Sequence, residues 1–141
     1  MRRMGRSKRG VVLGELSWVA AERLLRPRRV LLIPLGAAAK EHGPHLPLQN
    51  DLLLAEYLRD EIAKSADVLI APTINCGFYP AFVEYPGSVS LRLSTARDLI
   101  VDICRSYARF GTRKIYVLNT GVSTLRALRP AVRTPMRSRP P

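Results

Sequence analysis

The sequence has few cysteines and no long apolar run, and both shortages narrow the class of protein. Cys76 and Cys104 are far apart and form no CxxC pair, which favours reduced thiols over a disulfide scaffold. The longest apolar stretches, such as residues 30–39, are much shorter than the roughly 20 residues of a membrane-spanning helix. The apolar run after the basic start is too short for a signal-peptide core. We therefore expect a cytoplasmic protein without a membrane span.

Acidic residues are missing from both ends of the chain, and this accounts for most of the net charge of +12. Residues 1–10 and 122–141 contain Lys and Arg but neither Asp nor Glu, whereas the segment between them is nearly balanced. Basic ends attract phosphates non-specifically, but these ends also lack aromatic residues that could stack on bases. A basic nucleic-acid-binding protein is thus the lesser alternative, and we expect no specific nucleic-acid partner.

Three short apolar runs alternate with two amphipathic segments. The order strand, helix, strand, helix, strand predicts right-handed βαβ units and hence a parallel sheet. Three strands are fewer than the ~5–6 of an average sheet. The prediction is an α/β fold, a three-layer α/β/α arrangement with a mainly parallel sheet that is incomplete in this chain. The predicted strands cover residues 29–35, 67–73 and 114–119, and the predicted helices cover residues 52–64 and 94–111.

Short polar residues mark where the helices are expected to begin. Ser17 is predicted to cap an additional, peripheral helix. The helix over residues 52–64 is expected to be capped by Asn50 or Asp51, and the helix over residues 94–111 by Ser94 or Thr95.

The two ends of the chain are predicted to lie outside the folded body. Residues 1–10 are expected to be a basic disordered N-terminus. Residues 125–141 are rich in Arg and Pro and are expected to form a disordered tail. The folded domain is therefore predicted to span residues 11–124.

Both histidines of the chain, His42 and His45, lie directly after the first predicted strand, with Glu41 and Asp51 close in sequence. Ligands of open α/β sheets bind at the carboxyl ends of the strands. Imidazole and carboxylate groups suit divalent zinc, manganese or iron, and such an ion lowers the pKa of bound water toward ~7. An alternative stays open, in which Asp51 only caps a helix and the histidines bond to backbone. The residues alone favour this alternative.

A longer pattern changes that balance. The sequence reads Pro34-Leu35-Gly36, then 42–48 as His-Gly-Pro-His-Leu-Pro-Leu, with Asp51 nine residues after His42. Together with Ala-Pro-Thr at 71–73 and Tyr-Pro-Gly-Ser-Val-Ser-Leu at 85–91, this pattern resembles the creatininase family over roughly residues 14–124. The resemblance implies a metal-dependent amidohydrolase that hydrolyses a non-peptide C–N bond of a small-molecule amide through a metal-activated water, in a homo-oligomer.

The resemblance also implies roles for individual residues. His42 and Asp51 match metal ligands of the family, and Glu41 is the third candidate ligand. His45 and Glu84 are candidates for substrate contact or for supporting the ligands, and the catalytic residues stay unassigned.

Two features depart from the family pattern. The family glutamate two residues before the histidine is replaced by Lys40, and the family's His/Glu-bearing segment after the third strand reads Asn-Thr-Gly-Val-Ser-Thr at 119–124. The chain is also shorter than family domains. These departures keep a second hypothesis open: a truncated, non-catalytic creatininase-like protein, produced by a break of the reading frame near residues 124–129.

Overall fold

Four strands and four α-helices build the molecule, described here from a computed structural model over residues 10–136. Of the predicted disordered ends, residues 1–9 and 137–141 lie outside the described residues. The strands are β1 (Val11–Val12), β2 (Val30–Leu35), β3 (Val68–Ile70) and β4 (Lys114–Asn119). The helices are α1 (Trp18–Leu24), α2 (Asn50–Ser65), α3 (Leu93–Arg109) and α4 (Leu125–Arg133), and short 3₁₀ turns cover Leu13–Glu15, Pro80–Phe82 and Val122–Thr124.

All four strands are parallel and lie in the order β1-β3-β2-β4. Side chains of β2 alternate between two apolar clusters, as the two-residue period of a strand requires. Leu31 and Ile33 pack with apolar residues of α3 and α4 on one face. Leu32 packs on the other face, against residues of α2 such as Ile62 and Ala63. Helices therefore cover both faces of the sheet, and the predicted three-layer α/β class is confirmed.

Strand β1 was not predicted, because two residues are too few to give a sequence signal. It extends the sheet beyond β3, with Val11 opposite Leu69 and Val12 opposite Ile70. The backbone N–H of Gly10 donates to the carbonyl of Ala63 at 2.9 Å, which ties the start of the described chain to α2. The three predicted core strands are all present, and the sheet has one further short strand.

The predicted helix starts are right for one helix and wrong for two. Ser17 caps α1, where its hydroxyl accepts from the backbone N–H of Ala20 at 3.3 Å. Helix α2 begins after Gln49 without a side-chain cap, so Asn50 and Asp51 lie inside its first turn and not at the cap position. Helix α3 begins at Leu93, one residue before the predicted caps, and no side chain caps it.

The prediction of a disordered tail over residues 125–141 is wrong for residues 125–133, which form α4. Ala127, Leu128 and Ala131 make one apolar stripe, and all three are buried in the cluster that also contains residues of α3. The arginines that suggested disorder occupy the solvent-facing side of this helix. The amphipathic helix was not predicted from the sequence, because its arginines resemble a charged disordered segment and its buried side consists mainly of small residues.

Leu128→Ala is expected to lower the free energy of unfolding by about 2 kcal/mol, near the small end for buried leucines because the side chain lies at the rim of the core. Val132 on the same helix is 60% exposed, so Val132→Ala is a matched control that should change stability by less than about 0.5 kcal/mol. Urea unfolding of both variants measures the difference. Equal and small effects would show that α4 does not contribute to the core.

The described residues contain no candidate membrane span and two free cysteines. Within residues 10–136, no helix is long and apolar enough to cross a bilayer. Cys76 and Cys104 are both free thiols, as expected, and burial raises the pKa of the Cys104 thiol.

Candidate functional site

The candidate site lies where the chain leaves the carboxyl end of β2 and meets the first turn of α2. Gly36 follows β2 directly, and a Cβ at this position would lie only 2.3 Å from the carbonyl oxygen of Asp51. The hydroxyl of Thr120, just after β4, donates to the same carbonyl at 2.8 Å. The ends of two neighbouring strands therefore fix the position of Asp51.

Lys40 and Asp51 form the centre of the site. The Lys40 ammonium donates to Oδ2 of Asp51, and both residues are buried, with exposed fractions of 6% and 5%. Two aromatic rings also face the ammonium, with centroids 5.5 Å away for Tyr79 and 5.3 Å away for Phe82. A cation is attracted both by the carboxylate and by the negative face of a ring, more strongly where water is excluded. One carboxylate and two rings therefore form a cage around one positive charge.

His42 completes the polar cluster without a hydrogen bond of its own. Its Nε2 lies 3.6 Å from Oδ1 of Asp51, beyond ordinary hydrogen-bond length. The same atom is buried and has no hydrogen-bond partner in the part of the chain that the structure describes. A buried polar atom left in this state calls for a functional explanation.

The loop between β3 and α3 forms one wall of the site. The backbone N–H of Glu41 donates to the Ser88 hydroxyl at 3.1 Å, which holds this loop against the segment after β2. Within the loop, the backbone N–H of Tyr79 donates to the Ser90 hydroxyl at 2.8 Å. Burial raises the pKa of the Tyr79 phenol, and nearby Cys76 and Asp51 raise it further. The hydroxyl is therefore neutral near pH 7, and within residues 10–136 it has no hydrogen-bond partner.

The loop after β4 forms the opposite wall and comes very close to the ion pair. A Cβ on Gly121 would lie 3.2 Å from Oδ2 of Asp51 and 3.7 Å from Nζ of Lys40. Asn119 holds this loop in place, because its amide donates to the Gly121 carbonyl at 2.8 Å and its oxygen accepts from the Gly121 N–H at 3.1 Å. The small residue at 121 leaves the space beside Asp51 to Lys40.

The structure brings together only part of the predicted site. His42 and Asp51 are neighbours, but the Glu41 carboxylate accepts from the backbone N–H of Gly43 and takes no part in the cluster. His45 and Glu84 are both exposed and, in the described part of the chain, make no hydrogen bond or ion pair with the cluster. Their predicted roles in substrate contact stay predictions.

Sequence reasoning missed most of the cage. Lys40 was noticed only as a departure from a pattern, and Gly121 only as part of a segment without His or Glu. Tyr79 and Phe82 lie about 40 residues away from Lys40 in sequence, so no local spacing could link them to it. The available signal was a lysine in an otherwise apolar run, Ala37-Ala38-Ala39-Lys40, which is an unusual place for an unpaired charge.

Fold and site together define a three-layer α/β protein with a buried polar cluster at the carboxyl ends of its parallel strands. The family model described as "Creatininase: Creatinine amidohydrolase" matches residues 14–139. The chain belongs to the creatininase family. This match includes α4 and extends past residue 124, at which the motif resemblance ended. It also extends past residues 124–129, near which a break of the reading frame was the hypothesis.

Two curated relatives illustrate the range of the family. Creatinine amidohydrolase of Pseudomonas putida is 30% identical over 117 residues, which cover 79% of this chain and 45% of the relative. Mycofactocin precursor peptide peptidase of Mycobacterium ulcerans (strain Agy99) is 32% identical over 135 residues, which cover 89% of this chain and 53% of the relative. The chain spans about half the length of the curated relatives it matches.

Solved structures agree with the fold and identify the family's cofactor. The structure titled "Creatininase Mn" superposes with a TM-score of 0.77 at 27% identity, covering 88% of this chain and 52% of that chain. A mutant creatininase of the Zn-Zn type has a TM-score of 0.74 at 28% identity, with the same coverage. Divalent metal is therefore a cofactor in this family, as expected.

The donor set of this chain does not fit such an ion. Within residues 10–136, no three His, Cys, Asp or Glu side chains come together in a group that could hold a metal. His42 and Asp51 supply two donors, whereas the position beside them is taken by the ammonium of Lys40. Metal ligation by Glu41, His42 and Asp51 together is thus not supported by the geometry.

Proposed function

We propose that this chain carries a creatininase-type amidohydrolase site that acts on a C–N bond of a small amide. The observation that carries the proposal is the buried cluster of Lys40, His42 and Asp51 at the strand ends of a creatininase-family fold. The relatives include both an amidohydrolase and a peptidase. A non-peptide amide is the substrate class we favour, because the family model that matches the chain is described as creatinine amidohydrolase.

The residues of the chain suggest a division of roles. The unpartnered Nε2 of His42 can accept a proton from an attacking water, as a general base does. The Lys40 ammonium can stabilise negative charge that develops on the amide oxygen, since a fixed cation in a dry site acts strongly on such charge. Asp51 holds both groups in position. We route no step through a metal, because the donor set does not fit one.

Creatinine and a formamide serve as probes of hydrolysis, with product formation followed by chromatography in the presence of Mn²⁺ and in the presence of EDTA. His42→Ala and Asp51→Asn are each expected to lower the rate roughly 100-fold, the smaller end of the contribution of a general base. Asp98→Asn is the matched control, because Asp98 is an exposed acid on α3 that pairs with its neighbour Arg97. Circular dichroism checks that every variant is folded. A wild-type chain that hydrolyses no probe in either condition would contradict the proposal.

A second candidate function is a creatininase-like chain without hydrolytic activity, which binds a small amide or a partner chain. The Lys40–Asp51 ion pair and Gly121 favour it, since neither an ammonium nor a glycine offers a side-chain lone pair to a metal. Assembly into a homo-oligomer also stays a prediction, which light scattering of the purified protein tests. The names of the relatives give no support to nucleic-acid binding.

A further inference from the structure

We infer that the Lys40 ammonium is the built-in cation of this site, so that the chain excludes a divalent metal from the position beside Asp51. The inference concerns which cation the site holds, and it does not depend on whether the chain hydrolyses an amide. Its consequence is specific: a single change of charge at residue 40 should convert the site into a metal-binding one.

Lys40 has the surroundings of a buried, paired cation and not those of a surface lysine. A buried lysine is costly unless its charge is paired, and here Asp51 supplies the counter-charge while the Tyr79 and Phe82 rings supply two aromatic faces. Lys64 shows the contrast. It pairs with Glu61 at 2.5 Å on α2, but 69% of its side chain is exposed.

The ammonium excludes a metal for two separate reasons. A divalent ion at Oδ2 of Asp51 would stand at close range to a like charge in a site shielded from water, where charges act more strongly than in bulk solvent. The ammonium also uses the oxygen that the ion would need and offers no lone pair in exchange. Among the imidazole and carboxylate atoms of the cluster in the described residues, Nε2 of His42 and Oδ1 of Asp51 stay uncommitted, and two such donors are too few for a tight site.

The opposite wall agrees with this arrangement. Gly121 faces both partners of the ion pair, and a Cβ there would already approach Oδ2 of Asp51 to 3.2 Å. A larger side chain would compete with Lys40 for the same space. The absence of a side chain at Gly121 therefore leaves the space beside Asp51 free for the Lys40 ammonium.

Lys40→Glu tests the inference, because a carboxylate at residue 40 would give the site three donors together with His42 and Asp51. Mn²⁺ is titrated into ¹⁵N-labelled full chain, and paramagnetic broadening of the Gly43 and Gly121 amide signals reports binding beside the cluster. The wild type is expected to show no selective broadening of these signals. Lys40→Glu is expected to bind Mn²⁺ at least tenfold more tightly, with both signals broadened at one equivalent of metal.

Two variants control for simpler explanations. Lys64→Glu makes the same change of charge at an exposed lysine, and it should leave the Gly43 and Gly121 signals unbroadened. Lys40→Glu combined with Asp51→Asn should lose the gained affinity. Selective broadening in the wild type at one equivalent would overturn the inference, and so would a folded Lys40→Glu chain without added affinity. The wild-type titration decides even if Lys40→Glu fails to fold, because it needs no variant.

Discussion

Lys40→Met is expected to lower the free energy of unfolding by about 3–5 kcal/mol, the range for removing one partner of a buried ion pair. The reason is the charge left behind. Asp51 is only 5% exposed, and without Lys40 its Oδ2 would keep a buried negative charge with no cation nearby. Methionine has nearly the same length and volume as lysine, so the effect of a cavity is small. Urea unfolding followed by circular dichroism measures the loss.

A double substitution separates the charge effect from the packing effect. Lys40→Met with Asp51→Leu replaces both charges by apolar groups, and such replacements are often neutral or stabilising. We therefore expect the double variant to regain most of the stability lost in Lys40→Met. Lys64→Met, at an exposed and salt-bridged lysine, should change stability far less than Lys40→Met does. A loss below about 1 kcal/mol in Lys40→Met would show that the ion pair is open to water.

Gly36→Ala is expected to destabilise the protein by about 3 kcal/mol and to displace Asp51. The added methyl group would lie 2.3 Å from the Asp51 carbonyl oxygen and 2.8 Å from the Thr120 hydroxyl. Contacts this short cannot persist, and overpacking a tightly packed site typically costs about 1–3 kcal/mol, more where backbone must move. Here the obstacle is backbone, so the end of β2 and the first turn of α2 must separate. Thermal unfolding measures the loss of stability. Changes in the NMR amide chemical shifts of residues near Asp51 report its displacement.

Gly14→Ala is the matched control for that substitution. Gly14 lies in the 3₁₀ turn after β1, and a Cβ there would meet no atom within 4 Å. Its replacement should change the free energy of unfolding by no more than about 0.5 kcal/mol, because it removes flexibility only from the unfolded chain. Similar losses of stability in both variants would mean that replacing any glycine has this cost, and that the close approach at Gly36 is not its cause.

The fold was largely predictable because its signals are local. Buried strands of a parallel sheet are short apolar runs, and the runs at β2, β3 and β4 were each identified from composition alone. The same local reasoning failed at α4, where three exposed arginines and Pro130 outweighed three buried residues of small or moderate size. A rule that counts residue types cannot tell a charged helix surface from a charged disordered segment. Only the packing against α3 distinguishes them.

Part of the candidate site could likewise be predicted from local sequence, and part could not. The segment from His42 to Asp51 was identified because the residues between them carry a pattern of Gly, Pro and His, with Asp51 nine positions after His42. The partner of Asp51 was not identified, because a ligand set was expected where the structure has an ion pair. Nearness in sequence does not ensure that a residue joins the site. Glu41 is next to His42, yet its carboxylate accepts a hydrogen bond from the Gly43 backbone.

The sequence by itself determined the class of fold, the family and the segment that carries the polar residues, since all three depend on periodicity and on motifs within short stretches. Only the tertiary structure decided what occupies the site. Lys40 comes from the loop after β2, its aromatic neighbours from the loop before α3, and Gly121 from the loop after β4. The balance between an ammonium and a metal beside Asp51 depends on distances among these segments, and no pattern along the chain encodes those distances directly.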